Sequence, residues 1–162
     1  MATTTMTSKE LHQNKFEEWI SEKYRTKKTS ISITKKEYKR IKKALMTNFH
    51  DYDKSFKKRI WINREMRLAN DEITGRALVT APVKFNKDKI RCPLAVIDEW
   101  FDIIYQKHYL DINHDGQTKT RCAVFREYSG IPRAAINEFC RLCSICNMTH
   151  KNNNKASVKP IE

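Results

Sequence analysis

The stretch that decides the fold runs from His108 to Cys146 and reads HYLDINHDGQTKTRCAVFREYSGIPRAAINEFCRLCSIC. Two histidines stand six positions apart at its start, and a Cys-x2-Cys pair closes it. Zinc takes two imidazoles and two thiolates in a tetrahedron, and the Cys-x2-Cys spacing lets two sulfurs of one turn reach the same ion. The pattern therefore predicts one structural Zn²⁺ with four protein ligands and no position left for a catalytic water: His108, His114, Cys143 and Cys146.

Two nearby residues leave the ligand set open. Cys140 forms an overlapping Cys-x2-Cys pair with Cys143, and His150 follows Cys146 closely enough to be a further donor. We favour Cys143 with Cys146, because Cys140 falls on the predicted inner face of a helix. A free cysteine on such a face behaves as a small hydrophobe.

The composition excludes several classes of protein. Gly and Pro are scarce, at 3 and 4, and charged residues make up 31% of the chain, which is typical of a helix-rich soluble protein. No apolar run is long enough to span a membrane, and the Thr-rich start does not resemble a secretory signal. We therefore expect a reducing, intracellular compartment, where the odd number of cysteines, 5, argues against a disulfide framework.

Working outward from the zinc motif, the second half predicts three helices joined by short turns. The segment Leu94–His108 is strongly amphipathic, and Thr118–Tyr128 and Pro132–Leu142 read as two short helices, the last with proline at its first position. We predict a helical zinc-binding domain over residues 93–146 and a flexible tail over residues 147–162.

The first half predicts a basic helical domain over residues 8–92, after a flexible start over residues 1–7. Its expected elements are three helices and a β-hairpin: Lys9–Lys23 capped by Ser8, Lys35–Met46 capped by Thr34, Lys54 to about Leu68, and strands Ala77–Phe85 and Ile90–Cys92. Pro82 would confine the first strand to a sheet edge. Three helices followed by a hairpin is also the element order of a winged helix.

Helical spacing indicates which apolar side chains face inward. We expect the first helix to bury Leu11, Phe16, Trp19, Ile20 and Tyr24, and the third to bury Phe56, Ile60 and Trp61. The fold class expected from these patterns is mainly α, with a short hairpin in the first half and a small helical zinc domain in the second.

The net charge of +13 is concentrated in the first half. Residues 1–91 hold 23 basic and 11 acidic side chains, a net +12, whereas residues 92–162 hold 9 and 8, a net +1. A basic excess on one side predicts contact with a polyanion, most simply DNA, although a solvated surface is the simpler alternative. The candidates for phosphate contacts are Lys35, Lys36, Lys39, Arg40, Lys42 and Lys43, followed by Lys57, Lys58, Arg59 and Arg64.

The motif residues resemble the HHCC zinc-binding domain of retroviral and retrotransposon integrases. The matching parts are His108, His114-Asp-Gly-Gln-Thr-Lys-Thr, Tyr128, Ile131-Pro-Arg, Phe139 and Cys143-Ser-Ile-Cys. The segment Val96–His108 is similar to transposon-derived proteins of the KRAB-A domain-containing protein 2-like group, and the N-terminal region of the nucleolar protein 4 family also resembles the chain. These resemblances imply a role in DNA integration, or a domesticated descendant of that role, in the nucleus.

The chemistry of integrases lies in a following ribonuclease H-like core with three metal-binding carboxylates, and we expect this chain to lack that core. The sequence therefore predicts no catalytic residues and no enzyme, but a zinc-stabilised module for DNA binding and assembly. The alternative is a protein-interaction module without direct DNA binding. It would form a homo-oligomer through the apolar face around Trp100, Phe101 and Tyr105.

Overall fold

The computed structural model describes residues 6–25, 32–85 and 88–148. Within these ranges the chain is mainly helical with one three-stranded antiparallel sheet. The helices are α1 (Ser8–Ile20), α2 (Lys35–Met46), α3 (Lys54–Lys57), α4 (Trp100–Tyr105), α5 (Gly116–Glu127) and α6 (Arg133–Leu142), and the strands are β1 (Arg67–Asn70), β2 (Ala77–Phe85) and β3 (Asp88–Pro93). The predicted flexible ends lie almost wholly outside the described residues.

Short non-α turns modify three of these helices. π-Helical turns continue α1 over Ser21–Arg25, α3 over Lys58–Asn63 and α4 over Gln106–Asp111, and a 3-10 turn, Ile97–Glu99, leads into α4. No helix in the described ranges combines the length and apolar character needed to cross a bilayer.

Side-chain caps begin the first three helices. Thr7, rather than the predicted Ser8, caps α1, because its hydroxyl accepts the backbone N–H of Glu10 and its own N–H donates to the Glu10 carboxylate. Thr34 caps α2 as predicted, and that helix has the predicted bounds. Asp53 caps α3 by accepting the N–H of Phe56 at 2.8 Å.

The sheet has the order β1-β2-β3, so β2 is central. The prediction of a third helix running to Leu68 is wrong at its end, because Arg67–Asn70 is strand β1. The prediction that Pro82 needs an edge strand is also wrong for the sheet as a whole. Proline is tolerated because β1 pairs with β2 only over Ala77–Thr80, so that at Pro82 the strand is paired on the β3 side alone, opposite Arg91.

An extended segment joins the sheet to the second half, where the sequence predicts a helix from Leu94. Leu94 donates its N–H to the Val79 carbonyl, and Ala95 donates to the Ser129 carbonyl, both at 2.9 Å. Gly130 has φ +85°, and a Cβ there would lie 2.7 Å from the Leu94 side chain. This close approach explains the glycine and fixes the turn between α5 and α6 against the sheet.

Two hydrophobic clusters form the core. The first joins α2, α3 and the sheet through buried residues that include Ile41, Phe56, Ile60 and Val79. The second joins α4, α5 and α6, and it also contains Phe16, Ile20 and Tyr24 from α1 and the turn after it. Although the predicted division places α1 with the basic half, its apolar residues pack with the second half. The winged-helix interpretation counts α1 among the helices of the first half, and it stays a prediction.

Burial departs from the helical patterns at a few positions. On α1, Leu11 is 48% exposed and His12 is 4% exposed, so His12 occupies the inward position expected for Leu11. Trp61 is 38% exposed, because the π-helical turn rotates it away from the core that holds Ile60. Trp100 and Phe101, which the alternative interpretation places on a multimerisation face, are buried in the second cluster.

Candidate metal centre

The two histidines and two cysteines of the motif meet in one cluster. One donor atom from each of them lies within 4.8 Å of the other three: His108, His114, Cys143 and Cys146. The His108 Nε2 is 3.2 Å from the His114 Nδ1 and 3.3 Å from the Cys146 Sγ, and the Cys143 Sγ is 3.4 Å from the His114 Nδ1. Ligands at zinc's usual bond lengths stand about 3.3–3.8 Å apart in a tetrahedron. The donor spacing is therefore compatible with one tetrahedral metal ion.

Two ligands lie at the ends of elements, one in a loop, and Cys146 in the helical residues that follow Cys143. His108 lies in the π-helical turn after α4 and is fully buried, while Cys143 directly follows α6. His114 lies in the loop before α5 with φ +63°, after Asn113 with φ +45°. Two successive left-handed residues without a glycine are uncommon, and this chain has a second such pair at Asn48 and Phe49, away from the cluster. The loop holds the His114 ring against the His108 ring.

A hydrogen-bond chain behind His108 fixes the orientation of its ring. The Nδ1–H of His108 donates to the Thr120 hydroxyl at 2.8 Å, and this hydroxyl donates to the Gly116 carbonyl at 2.7 Å. The Nε2 lone pair then points into the cluster. Metal-bound histidines commonly use their second nitrogen in this way. Thr120 belongs to the quoted motif, but its spacing alone did not reveal this role.

Burial sets the protonation of the donors. Burial, followed by the neighbouring His114 and His12 rings, lowers the pKa of His108 to about 4, so the ring is neutral at pH 7 and keeps a lone pair for a metal. Burial also lowers the pKa of His114. Burial and the adjacent Cys143 sulfur raise the pKa of Cys146, so a thiolate forms there only if a cation compensates its charge. Neutral imidazoles and thiols whose deprotonated form needs a compensating positive charge are donors that favour a bound cation.

Cys140 lies beside this cluster but outside it. Its Sγ is 3.7 Å from the Nδ1 of His108, the nitrogen that faces away from the other ligands, and 3.7 Å from the Thr120 hydroxyl. Burial raises the pKa of its thiol to about 11, and the pKa of Cys146 is raised as well, so position rather than acidity separates the two sulfurs. The other alternative donor, His150, lies outside the described residues.

Helix α1 reaches the cluster through His12, which contacts Tyr109 in the turn after α4; the sequence singled out neither residue. The Nε2–H of His12 donates to the Phe139 carbonyl at 2.9 Å. The Tyr109 hydroxyl stands 3.4 Å from the Nδ1 of His12 and 3.5 Å from the Cys143 Sγ. No local pattern marks His12, because its partners lie about a hundred residues or more away. Tyr109 directly follows a predicted ligand, which was the one available signal.

The predicted nucleic-acid contacts lie in the first half, on α2, on α3 with the π-helical turn that continues it, and at Arg64 just after that turn. Four of them, Lys36, Lys43, Lys57 and Lys58, are exposed, and no ion pair involves them in the described part of the chain. Lys35, Lys39 and Arg40 are also exposed, whereas Lys42 is half-buried. Arg59 lies 3.5 Å from the Glu37 carboxylate, and Arg64 is half-buried, so these two are less available to a phosphate.

Known proteins resemble this chain only distantly. No protein-family model matches it, and no solved structure matches it. Nucleolar protein 4 of Homo sapiens and Nucleolar protein 4 of Mus musculus are each 26% identical to it over 151 residues. The match covers 81% of this chain but 24% of the human protein and 31% of the mouse protein, so the chain spans less than a third of these relatives. The resemblance to integrase zinc domains stays a prediction.

Proposed function

We propose that this chain is a non-catalytic, zinc-stabilised module that binds DNA through its basic half. The observation that carries the proposal is the cluster of His108, His114, Cys143 and Cys146 in the same compact molecule as a separate, largely unpaired basic surface on α2 and α3. The resemblance to integrase zinc domains supports the same reading. The name of the two curated relatives supports a nuclear location.

The donor set favours zinc over other common metals. Two thiolates and two imidazoles suit a borderline-soft ion, whereas Mg²⁺ and Ca²⁺ prefer oxygen ligands. Bound zinc would tie the end of α4 and the loop before α5 to the end of α6. In such a site the free energy of metal binding contributes directly to folding. With four protein donors, the ion would have a structural role.

The metal proposal is tested by measuring metal content on the purified chain, by native mass spectrometry and elemental analysis before and after EDTA. One zinc per chain is the expected result, with a loss of helical signal and of thermal stability after chelation. A metal-free protein whose melting is unchanged by EDTA would remove the zinc proposal and leave the four residues as ordinary packing.

The DNA proposal rests on the net +12 of residues 1–91 and on the accessibility of the α2 and α3 lysines. Phosphate contacts release counterions, so affinity falls steeply as salt rises and depends little on sequence. The test is a titration of duplex DNA at several salt concentrations with Lys36→Glu and Lys43→Glu. Each variant should reduce the salt slope by about one unit or more, whatever the DNA sequence.

The matched control is Arg133→Glu, which makes the same charge change at an exposed position on α6, in the other half. It should leave DNA binding close to that of the parent. Equal weakening by all three variants would indicate a general effect of net charge, and no binding at low salt would exclude the DNA proposal. Homo-oligomerisation, the earlier alternative, stays a prediction that sedimentation at several concentrations can test.

A further inference from the structure

A cleft of about 480 Å³ lies between α2 and the extended segment that joins the two cores. Its walls are mostly apolar and come from four parts of the chain: Tyr38, Leu78, Pro93 with Leu94, and Tyr128. Three lysines of α2, Lys35, Lys39 and Lys42, stand along one side, and Glu99 is its acidic residue. Volumes of about 300–1,000 Å³ with apolar walls and a few charged groups are typical of binding sites.

Helical geometry separates these lysines from the other basic residues of α2. Lys35, Lys39 and Lys42 are spaced i, i+4 and i+7, so they share one side of the helix. Lys36, Arg40 and Lys43 repeat the spacing one residue later and form a neighbouring face. There the Arg40 guanidinium lies 4.4 Å from the centre of the Phe56 ring, on the side of α3. The two sets of basic residues can therefore meet different partners.

We propose that the cleft binds a short acidic segment of a partner protein that carries one large apolar side chain. The apolar side chain would fill the space between the tyrosines and Leu94, and carboxylates beside it would pair with the lysines. Lys35 to Lys42 spans about 10 Å of helix, which matches about three residues of extended peptide. Within the described part of the chain, no ion pair occupies these lysines.

Charge and shape favour a peptide over a duplex. The lining has three positive residues and one negative, so it attracts carboxylates as well as phosphates. A DNA duplex is too wide to enter such a cleft, and its phosphates gain nothing from walls made by Leu78, Pro93 and Leu94. An acidic peptide with an apolar anchor uses both features. The inference goes beyond the proposed function and needs neither zinc nor DNA to be bound.

The experiment uses the full chain and a fluorescein-labelled peptide in which one tryptophan is flanked on both sides by glutamates, with binding followed by fluorescence anisotropy. Two control peptides replace the tryptophan by glycine, or all glutamates by glutamines. Both controls should bind at least about tenfold more weakly, because each loses one of the two contributions. Lys39→Glu should weaken the parent peptide by about tenfold or more, and Lys36→Glu, the same change on the neighbouring face, by less than about twofold.

Three outcomes would overturn the inference. Equal binding of the glycine peptide would show that the apolar walls are not used. Equal weakening by Lys39→Glu and Lys36→Glu would show attraction to net charge alone. A single-stranded oligonucleotide that displaces the peptide would assign the cleft to nucleic acid if that oligonucleotide binds Lys36→Glu but no longer binds Lys39→Glu. Loss of duplex binding in Lys36→Glu with intact peptide binding would separate this proposal from the DNA proposal.

Discussion

His108 organises the candidate metal centre because both nitrogens of its ring are engaged. Its Nδ1–H is held by Thr120, and its Nε2 faces the His114 ring and the Cys146 sulfur. The ring has no exposed surface, so it can turn neither nitrogen toward water. A ligand fixed in this way loses little conformational freedom on binding a metal. The same engagement explains why Cys140, which lies on the Nδ1 side, stands apart from the other sulfurs.

The two neighbouring cysteines give a direct test of the ligand set. Cys143→Ser should abolish stoichiometric zinc binding and unfold the second half, because a serine hydroxyl does not replace a thiolate on zinc at neutral pH. Cys140→Ser should keep one zinc per chain, since its sulfur faces the Thr120 hydroxyl rather than the cluster. Zinc content and circular dichroism of both variants measure the outcome. Loss of zinc in Cys140→Ser, with zinc kept in Cys143→Ser, would reverse the assignment.

Tyr109 is expected to act on the metal through Cys143. Its hydroxyl is 3.5 Å from the Cys143 Sγ, and a hydrogen bond that the hydroxyl donates to a thiolate stabilises the negative charge of the sulfur and so favours its metal-binding form. Tyr109→Phe should therefore lower zinc affinity by about tenfold or more. It should also move the sulfur-to-cobalt charge-transfer band of the Co²⁺-substituted protein to lower energy.

The matched control for Tyr109 is Tyr105→Phe. The two rings are stacked with centroids 4.3 Å apart, so this change removes a hydroxyl from the same aromatic pair without altering the ring that faces the sulfur. Zinc affinity and the cobalt spectrum should stay close to those of the parent. An unchanged spectrum in Tyr109→Phe would show that its hydroxyl does not interact with the thiolate.

At the scale of elements, local sequence signals predict helices well, but they do not predict strands that depend on long-range pairing. Helix α2 has the predicted bounds, because the Thr34 cap and the apolar period lie within the helix itself. Strand β1 was missed because Arg67–Asn70 is short, and its pairing with Ala77–Thr80 is what makes it a strand. The periodicity from Leu94 onward resembled a helix, but the first residues there bond to the sheet and to the turn after α5.

In the candidate site, too, local patterns predict some residues, whereas others depend on long-range packing. The four clustered donors could be predicted, because two short spacings carry them and the chemistry of zinc connects the two. The residues that support them could not, because His12 and Tyr109 meet only when α1 packs on α4 and α6. A helical pattern shows which face of α1 is apolar, but it does not show which half of the molecule that face covers.

Helix α1 gives a prediction at this scale. Phe16 is fully buried among residues of the second core, so Phe16→Ala should lower the free energy of unfolding by about 3–5 kcal/mol. Leu11→Ala, on the exposed side of the same helix, should change it by less than about 0.5 kcal/mol. Urea unfolding measures both. Amide hydrogen exchange should quicken in α4, α5 and α6; faster exchange in α2 and the sheet instead would place α1 with the first half.

At the scale of the molecule, charge and metal chemistry are divided between the two halves. The basic excess lies with α2, α3 and the sheet, while the four donors lie with α4, α5 and α6. The extended segment after β3 joins them through backbone bonds to Val79 and to Ser129. A change in the metal centre should therefore affect the second core first, and reach the basic surface through this segment and through the packing of α5 on β2 and β3.

Low pH should lower the stability of the second half more than that of the first. Burial is the main cause that lowers the pKa of His108, to about 4, and of His12. An unfolded histidine titrates near pH 6.5, so below that value the unfolded chain binds more protons than the folded one. The stability of the second half should then be fully present above about pH 6.5 and fall as the pH drops toward about 4. Protons compete with the metal for the same nitrogens, so zinc should be released over this range.

The measurement is thermal unfolding and zinc release between about pH 7 and about pH 4.5, with a chromophoric zinc indicator and hydrogen exchange to separate the two halves. Protection in α4 and α6 should fall before protection in α2, because the buried rings of His12 and His108 pack against Phe139 in the second core. A second half equally stable at both ends of this range would show that neither buried ring needs to stay neutral. It would also remove the electrostatic argument for His108 as a metal ligand.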